Sequence, residues 1–310
     1  MSEVEERVIE AARLATRLNG GKILIGPGDD MALVGVGGKG VLAAADQLVE
    51  GVHFVPGTPL ALVAHKAVAR NLSDVAAMAG IPLATLACAT LPADMSGDLA
   101  EDLLRAIAEC AMRGGAPLVG GDTCVYRIDH GPLTLAVTIL AQVREDGRII
   151  RRDGAREGDR IIVSGPLGGS FGADGLGRHL RFEPRVFEAH ELVDACGDGV
   201  HAMIDVSDGL GVDMARVMRA SSQAQGVSLG ARIDARCVPR TKGASIASAL
   251  ADGEDHELIA TLAADSRVPP SWIEIGRVTP TAPSAAGTVT LELDGELLDV
   301  SKKGWSHGAH

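Results

Sequence analysis

Apolar positions along this chain recur at two spacings, and together they lay out a series of short strands and amphipathic helices. Val4, Val8, Ile9 and Ala12 fall at helical spacing over residues 4–18 and run into Gly20-Gly21, which predicts a helix with a glycine stop. Short apolar runs at 31–34 and 41–45 flank a glycine-rich turn and read as a hairpin. The Ala-, Leu- and Val-rich stretch 60–79 predicts a long helix, 83–91 a buried strand built on TLACATL, and 97–113 a second amphipathic helix. An apolar PLVGGD segment follows, then the strand LTLAVTILAQV at 133–143. Residues 144–159 are charged and rich in turn formers, so the domain boundary is placed there, giving units 1–145 and 146–310. Beyond it come a strand at 160–165, the glycine-rich PLGGSFGADGLG, a helix near 186–196, and the strand-to-helix run MIDVSDGLGVDMARVMRA. GASIASALADGEDHELIATL and a strand-like TVTLELDGELLDV close the sequence ahead of the tail SKKGWSHGAH. Strands and helices alternate in both halves, so the expected fold is two α/β domains.

Composition narrows what such a protein can do. At 310 residues the chain exceeds one ordinary core. Aromatic residues make up only 2%, so the cores must be built from Ala, Val, Leu and Ile. A net charge of −12 disfavours a nucleic-acid-binding surface. It permits anionic substrates if divalent cations sit between them and the protein. The five cysteines are scattered, odd in number and without a C-x-x-C, which reads as reduced thiols of a cytoplasmic protein rather than a zinc site. The start, MSEVEERVIE, is acidic where a signal peptide would be basic. No uncharged apolar stretch reaches about 18 residues, so no membrane span is expected.

The chemistry lies in short acidic motifs. Gly35, Gly37 and Gly40 match G-x-G-x-x-G, but VLAAAD follows instead of a helix, so a hairpin turn is the better reading. There is no G-x-x-x-x-G-K-[ST]. Acidic residues instead punctuate element ends: Asp29-Asp30 in GPGDD, Asp46, Asp74 in NLSDV, Asp122 in GGDT, Asp205 and Asp208 in MIDVSDGL, and Glu254-Asp255 in DGEDHEL. One alone is a turn or helix cap. Several embedded in apolar sequence are costly carboxylates that need partners. Arg and Lys are too few in those segments, whereas Mg²⁺ takes oxygen ligands and shares its shell with substrate phosphates. Phosphoryl transfer asks the protein for positioning and charge neutralisation. No catalytic residue is therefore expected beyond metal- and phosphate-positioning groups. His53 reads as a packing or hydrogen-bonding histidine. Lys66, Arg70 and Asp74 share one helix face, either as a salt-bridge row or as part of a site. Arg152 sits in a charged loop. Trp305 is either a surface anchor or a stacking plate for a ring.

In this order GPGDDMAL, DQLVEGVHF, HKAVARNLSDVAAMAG, GGDT, R-x-GA-x-x-GD, MIDVSDGL and GEDHEL resemble the thiamine-monophosphate kinase family, from about Gly26 to Trp305. Its superfamily includes aminoimidazole ribonucleotide synthetase, selenophosphate synthetase and a hydrogenase maturation protein. The resemblance implies two α/β domains, with the N-terminal domains of two subunits pairing into a shared β-barrel in a homodimer. It implies an ATP- and magnesium-dependent phosphorylation of thiamine monophosphate to thiamine diphosphate. Asp30, Asp46, Asp74, Asp122, Asp205 and Asp208 match the acids that bind several Mg²⁺ ions; Gly121, Asp122, Arg152 and Ser207 match ATP contacts. His53, Glu254 or its neighbour Asp255, and Trp305 match substrate contacts.

Two departures keep alternatives open. The family carries Ser or Thr before the acid of D-x-L-V-E-G-V-H-F, where this chain has Ala44-Ala45, and an aromatic where it has His256. One alternative is a diverged member acting on another small phosphorylated acceptor; the other is a catalytically silent nucleotide-binding protein. Selenophosphate synthetase needs an early reactive cysteine, but none precedes Cys88, and the hydrogenase protein a C-terminal one, which the ending Gly308-Ala309-His310 lacks.

Overall fold

Two sheets carry the chain, and the segments between them bring acidic residues from both halves together. The structure, a computed structural model, describes residues 3–17, 23–128 and 130–305. A helix occupies Glu3–Arg17 (α1), and the Gly20-Gly21 stop expected after it lies outside the described residues.

The first sheet contains β1 (Ile23–Ile25), β2 (Ala32–Val36), β3 (Lys39–Val49), β4 (Ile81–Leu91), β5 (Leu118–Val125) and β6 (Thr134–Gln142), in the order β1-β2-β3-β6-β4-β5. Gly37 (φ 57°) and Gly38 (φ 82°) close the β2–β3 hairpin, so the G-x-G-x-x-G match is a two-residue turn. In β6, Leu135, Val137, Ile139 and Ala141 are buried while the intervening residues stay partly exposed. The buried face packs under α2 (Leu60–Ala77) and α3 (Gly97–Arg113). Helix α3 starts where Ser96 Oγ accepts from Leu99 N (3.3 Å), with Asp98 in its first turn.

The second sheet runs β13-β12-β9-β11-β7-β10-β8, from β7 (Arg160–Val163), β8 (Val200–Asp205), β9 (Leu229–Asp234), β10 (Leu258–Leu262), β11 (Ile273–Pro280), β12 (Val289–Leu293) and β13 (Glu296–Asp299). Its central strands are apolar on both faces because both are covered. Ile161, Val163, Ile204 and Ile259 pack with α5 (Leu210–Gln225), while Ile162, Met203 and Ala260 pack with α4 (Val186–Cys196). Ala76, Ala77 and Ala79, at and just past the end of α2, join that second cluster. Their small side chains let α2 approach the second sheet closely. A short helix, α6 (Ile246–Ala251), precedes the GEDHEL segment.

Strands and helices alternate in both halves as expected, and the sheets, of α+β type, are mixed and mostly antiparallel. Only β4–β5 and β9–β12 pair in parallel among the described residues. Neither sheet closes into a barrel. TVTLELDGELLDV is two strands, broken at Asp294 (φ 52°) and Gly295 (φ 87°), and PLVGGD opens the edge strand β5. The two sheets share no strand: β6 ends at Gln142 and β7 begins at Arg160. Among the described residues no helix is long and apolar enough to cross a membrane.

Candidate active site

A cavity of about 220 Å³ opens between the halves, lined by Asp29, Asp30, Ala44, Ala45, Asp46, Arg70, Asp74, Arg152, Asp205, Ser207 and His256. Six segments build it, two of them being the loop between β6 and β7, which supplies Arg152, and the loop before β10, which supplies His256. The turn before β2 supplies Asp29-Asp30, β3 supplies Asp46, α2 supplies Arg70 and Asp74, and the end of β8 supplies Asp205 with Ser207 just beyond. Single carboxylate oxygens of Asp30, Asp74 and Asp205 lie within 4.8 Å of one another. Five carboxyl groups thus face two guanidiniums.

The electrostatics follow from that imbalance. Burial pushes the Asp30 carboxyl up to about 8 against the pull of Arg152, with Asp205 and Asp29 adding to the rise. Asp74 lies well above the usual carboxylate range, through burial and then through Asp46, Asp205 and Asp30, with only Arg70 opposing. Asp205 goes the other way: burial raises it, but His256, Ser73 and Arg152 together hold it low. Its Oδ2 accepts from Ser73 Oγ (2.6 Å) and lies 3.1 Å from His256 Nδ1. Arg152 Nη2 donates to Asp30 Oδ1 (2.6 Å), yet Asp30 Oδ2 is buried without a hydrogen-bond partner. An orphaned anionic oxygen beside two further carboxylates is a fit for a hard cation with oxygen ligands.

Of the acids singled out in the sequence, Asp30, Asp46, Asp74 and Asp205 share this cavity. Asp122 and Gly121 do not line it. Strand pairing links Asp46 to Val137, Val137 to Ala87 and Ala87 to Gly121, so the row spans three strand spacings, about 14 Å. Asp122 follows on the opposite face, exposed, with Oδ1 accepting from Thr123 N (2.9 Å). Gly121 is a glycine for a physical reason: a Cβ there would stand 1.8 Å from Ala87 O. Asp208 also lies outside the cavity lining, its Oδ2 taking a hydrogen bond from Arg216 Nη2 (2.5 Å). Arg152 and Ser207 line the cavity.

The residues matched to substrate contacts lie outside the cavity lining, and Lys66 with a row of rings links His53, Glu254 and Trp305 into a neighbouring wall. Glu254 pairs with Lys66, whose Nζ also donates to His53 O (2.6 Å). Trp305 is 46% exposed, its ring 6.3 Å from Phe171 by centroid, and its N–H donates to Asp208 O (2.8 Å). Asp255 is fully buried and bonded to Gly168 N (2.9 and 3.0 Å), Ser170 Oγ and Arg178 Nη2 (2.5 Å). Of the adjacent pair, Glu254 therefore faces the wall and Asp255 anchors the glycine-rich loop. The sequence reading did not single out Ser73, His179 or Phe171. Ser73 stood beside Asp74 in NLSDV; the other two carried no local signal.

Residues 28–143 match the family described as AIR synthase related protein, N-terminal domain. The first sheet and its helices thus form an N-terminal domain of that class. A thiamine-monophosphate kinase of Rhodopirellula baltica is 35% identical over 257 residues, covering 77% of this chain and 76% of its own length. The Escherichia coli thiamine-monophosphate kinase is 34% identical over 266 residues, covering 77% and 76%. The solved structure of AaThiL complexed with AMPPCP and TMP superposes with a TM-score of 0.77 at 27% identity, over 95% of this chain and 94% of that one. This chain belongs to the thiamine-monophosphate kinase family.

Proposed function

We propose that this protein transfers the γ-phosphoryl group of ATP directly to thiamine monophosphate, giving thiamine diphosphate and ADP. The observation that carries the reading is the acidic cavity, where Asp30, Asp74 and Asp205 converge with too little positive charge around them. Its relatives carry the kinase name, and AaThiL is a structure with AMPPCP and TMP.

Asp30, Asp74 and Asp205, with Asp46 at the rim, would hold Mg²⁺ ions, which supply the positive charge that neutralises phosphate oxygens. The protein's own groups do the rest. Arg70 and Arg152 line the same cavity, and nearby carboxylates outweigh burial to keep their guanidiniums charged. Ser207 lines it too, and its hydroxyl would donate to a phosphate oxygen. The acceptor is itself a phosphate and carries its nucleophilic oxygen unprotonated, so no general base is needed. His53, Glu254 and Trp305 would form the acceptor side; Gly121, Asp122 and Asp208 belong to the family pattern's nucleotide and metal contacts but lie outside this cavity.

The division into a nucleotide-binding unit 1–145 and a closing unit 146–310 accords with two sheets that share no strand. A homodimer accords with the outer face of the first sheet, where Ala43, Ala136, Thr138, Leu140 and Leu86 are apolar or small and only partly covered. Two such faces would meet as the shared β-barrel. A cytoplasmic location accords with five free cysteines.

The test is purified protein with ATP, Mg²⁺ and a panel of small phosphorylated acceptors, read by chromatography. Thiamine diphosphate and ADP are expected from thiamine monophosphate. Product from another acceptor alone would establish the diverged reading, to which His256 on the cavity wall lends weight. No ADP with any acceptor would leave a nucleotide-binding protein without turnover.

A further inference from the structure

Lys66 is fully buried, an unusual place for an ammonium group. It survives there because three acceptors meet it: Glu254 Oε2, His53 O at 2.6 Å and His179 Nδ1 at 2.8 Å. Two of these contacts are hydrogen bonds, to His53 O and His179 Nδ1, and the third, to Glu254, is an ion pair. The tautomer of His179 agrees, because its Nε2 lies 3.0 Å from Gly175 O and must donate there, leaving Nδ1 to accept. Burial lowers Lys66 to about 8, while the His179 ring, Lys66 and Arg70 together outweigh burial and hold Glu254 below the usual carboxylate range.

What these acceptors hold is more telling than their number. His53 belongs to the turn after β3, and its ring is fixed by Val49 N donating to Nδ1 (3.0 Å). Glu254 sits at a left-handed backbone position (φ 54°) and is tied by its N–H to Ser207 O (2.7 Å). The His179 ring lies 4.8 Å from Phe171, which in turn faces Trp305. One ammonium on α2 therefore touches or reaches, through a single row of rings, every residue placed on the acceptor wall, and does so across the two halves of the chain. It does not line the acidic cavity; Arg70 and Asp74, one and two turns on, do.

We propose that Lys66 is a positioning residue for the acceptor: it sets the spacing between His53 on one half of the chain and Glu254 with the His179–Phe171–Trp305 row on the other. The proposal rests on the acceptor reading above. It predicts a selective effect, because the nucleotide's phosphates are held by other side chains.

The experiment compares wild type, Lys66→Met, Glu254→Gln and the double variant. Lys66→Met should raise the KM for thiamine monophosphate at least about twentyfold and that for ATP by less than about threefold. Adding Lys66→Met to Glu254→Gln should raise the acceptor KM a further fivefold or so, because His53 O and His179 Nδ1 also lose their donor. The double variant carries no uncompensated buried charge, so it decides the matter if Lys66→Met fails to fold. Amide hydrogen exchange without ligands should quicken at least about tenfold in residues 49–54 and 250–256. KM values for ATP and acceptor that rise together, an unchanged acceptor KM, or unchanged exchange in those segments would overturn the proposal. If wild type makes no thiamine diphosphate, the proposed reaction is wrong, and the exchange measurement alone then decides whether Lys66 positions the wall.

Discussion

Two groups of carboxylates in this molecule, one around Arg178 and Arg185 and the other in the acidic cavity, are treated in opposite ways. In the second half, Glu257 accepts from Arg185 at both oxygens (2.7 Å each) and from Ser164 Oγ (2.7 Å). Asp255 is enclosed by Arg178, Ser170 and Gly168 N; burial still lifts its carboxyl, but no neighbouring acid adds to the rise. In the cavity between the halves, Asp74 is raised by three other aspartates, and Asp30 keeps an oxygen with no partner. The chain has 29 Lys and Arg, enough to neutralise such sites where the fold requires it. Acids that are saturated hold the structure together; acids left repelling one another store a demand for positive charge that a bound cation meets.

The sharpest way to break this contrast is to neutralise one acid in each region. Asp74→Asn should lower kcat by about 10³-fold or more while leaving Tm unchanged or higher, since it removes repulsion along with a cation ligand. Arg185→Met should do the reverse. It strands the Glu257 carboxylate, so stability should fall by about 3–5 kcal/mol in denaturant titration, with kcat of the folded fraction within about tenfold of wild type. An Asp74→Asn protein that unfolds early but turns over normally would assign the cavity acids to the fold.

A pH series sharpens the same point without mutation. Asp30, pushed up to about 8, and Asp74, raised well above its ordinary range, bind protons in the folded state that ordinary carboxyls of the unfolded chain have already released. Stability from these groups is present below the ordinary carboxylate range and is lost as pH rises toward about 8. In EDTA, Tm should therefore carry a component that declines from about pH 5 to about pH 8 and that Asp30→Asn removes. Protons compete with the cation, so the gain in Tm on adding Mg²⁺ should be larger near pH 8 than near pH 6. A magnesium effect independent of pH would place the ion elsewhere.

The sequence showed much of the frame and part of the site. Helix α3 spans the predicted 97–113, and the glycine pair at 37–38 marked its hairpin, because local periodicity and backbone freedom determine both. Asp30, Asp74 and Asp205 were recognisable as acids in apolar surroundings. That they meet was not, since Ser73 and Asp205 touch across 132 residues. Asp122 carried the same kind of motif, yet strand register sets it beyond the cavity and on the other face of its sheet. Glu254 and Asp255 are neighbours in sequence, but left-handed backbone at Glu254 (φ 54°) and His256 (φ 50°) sends their side chains to different tasks. Pairing and register are properties of the assembled sheets, so no short window of sequence contains them.

Trp305 gives the smallest expected effect and tests the contrast from its other side. Its ring is half exposed and lies 6.3 Å from Phe171 by centroid, while its backbone N–H is secured to Asp208 O. Removing the ring takes nothing from either core, so Trp305→Ala should change stability by less than about 0.5 kcal/mol. A ring lying against the acceptor contributes through stacking or cation–π contact, worth about 0.5–2 kcal/mol, so the acceptor KM should rise about three- to thirtyfold. The KM for ATP should stay within about twofold, because in the proposed reading the nucleotide's phosphates meet the cavity's guanidiniums and the cations its acids would hold. Equal changes in both values would mean that Trp305 props Asp208 and the end of the chain rather than the acceptor. A selective change would show that this wall, like the acidic cavity, spends side chains on a ligand that the fold could do without.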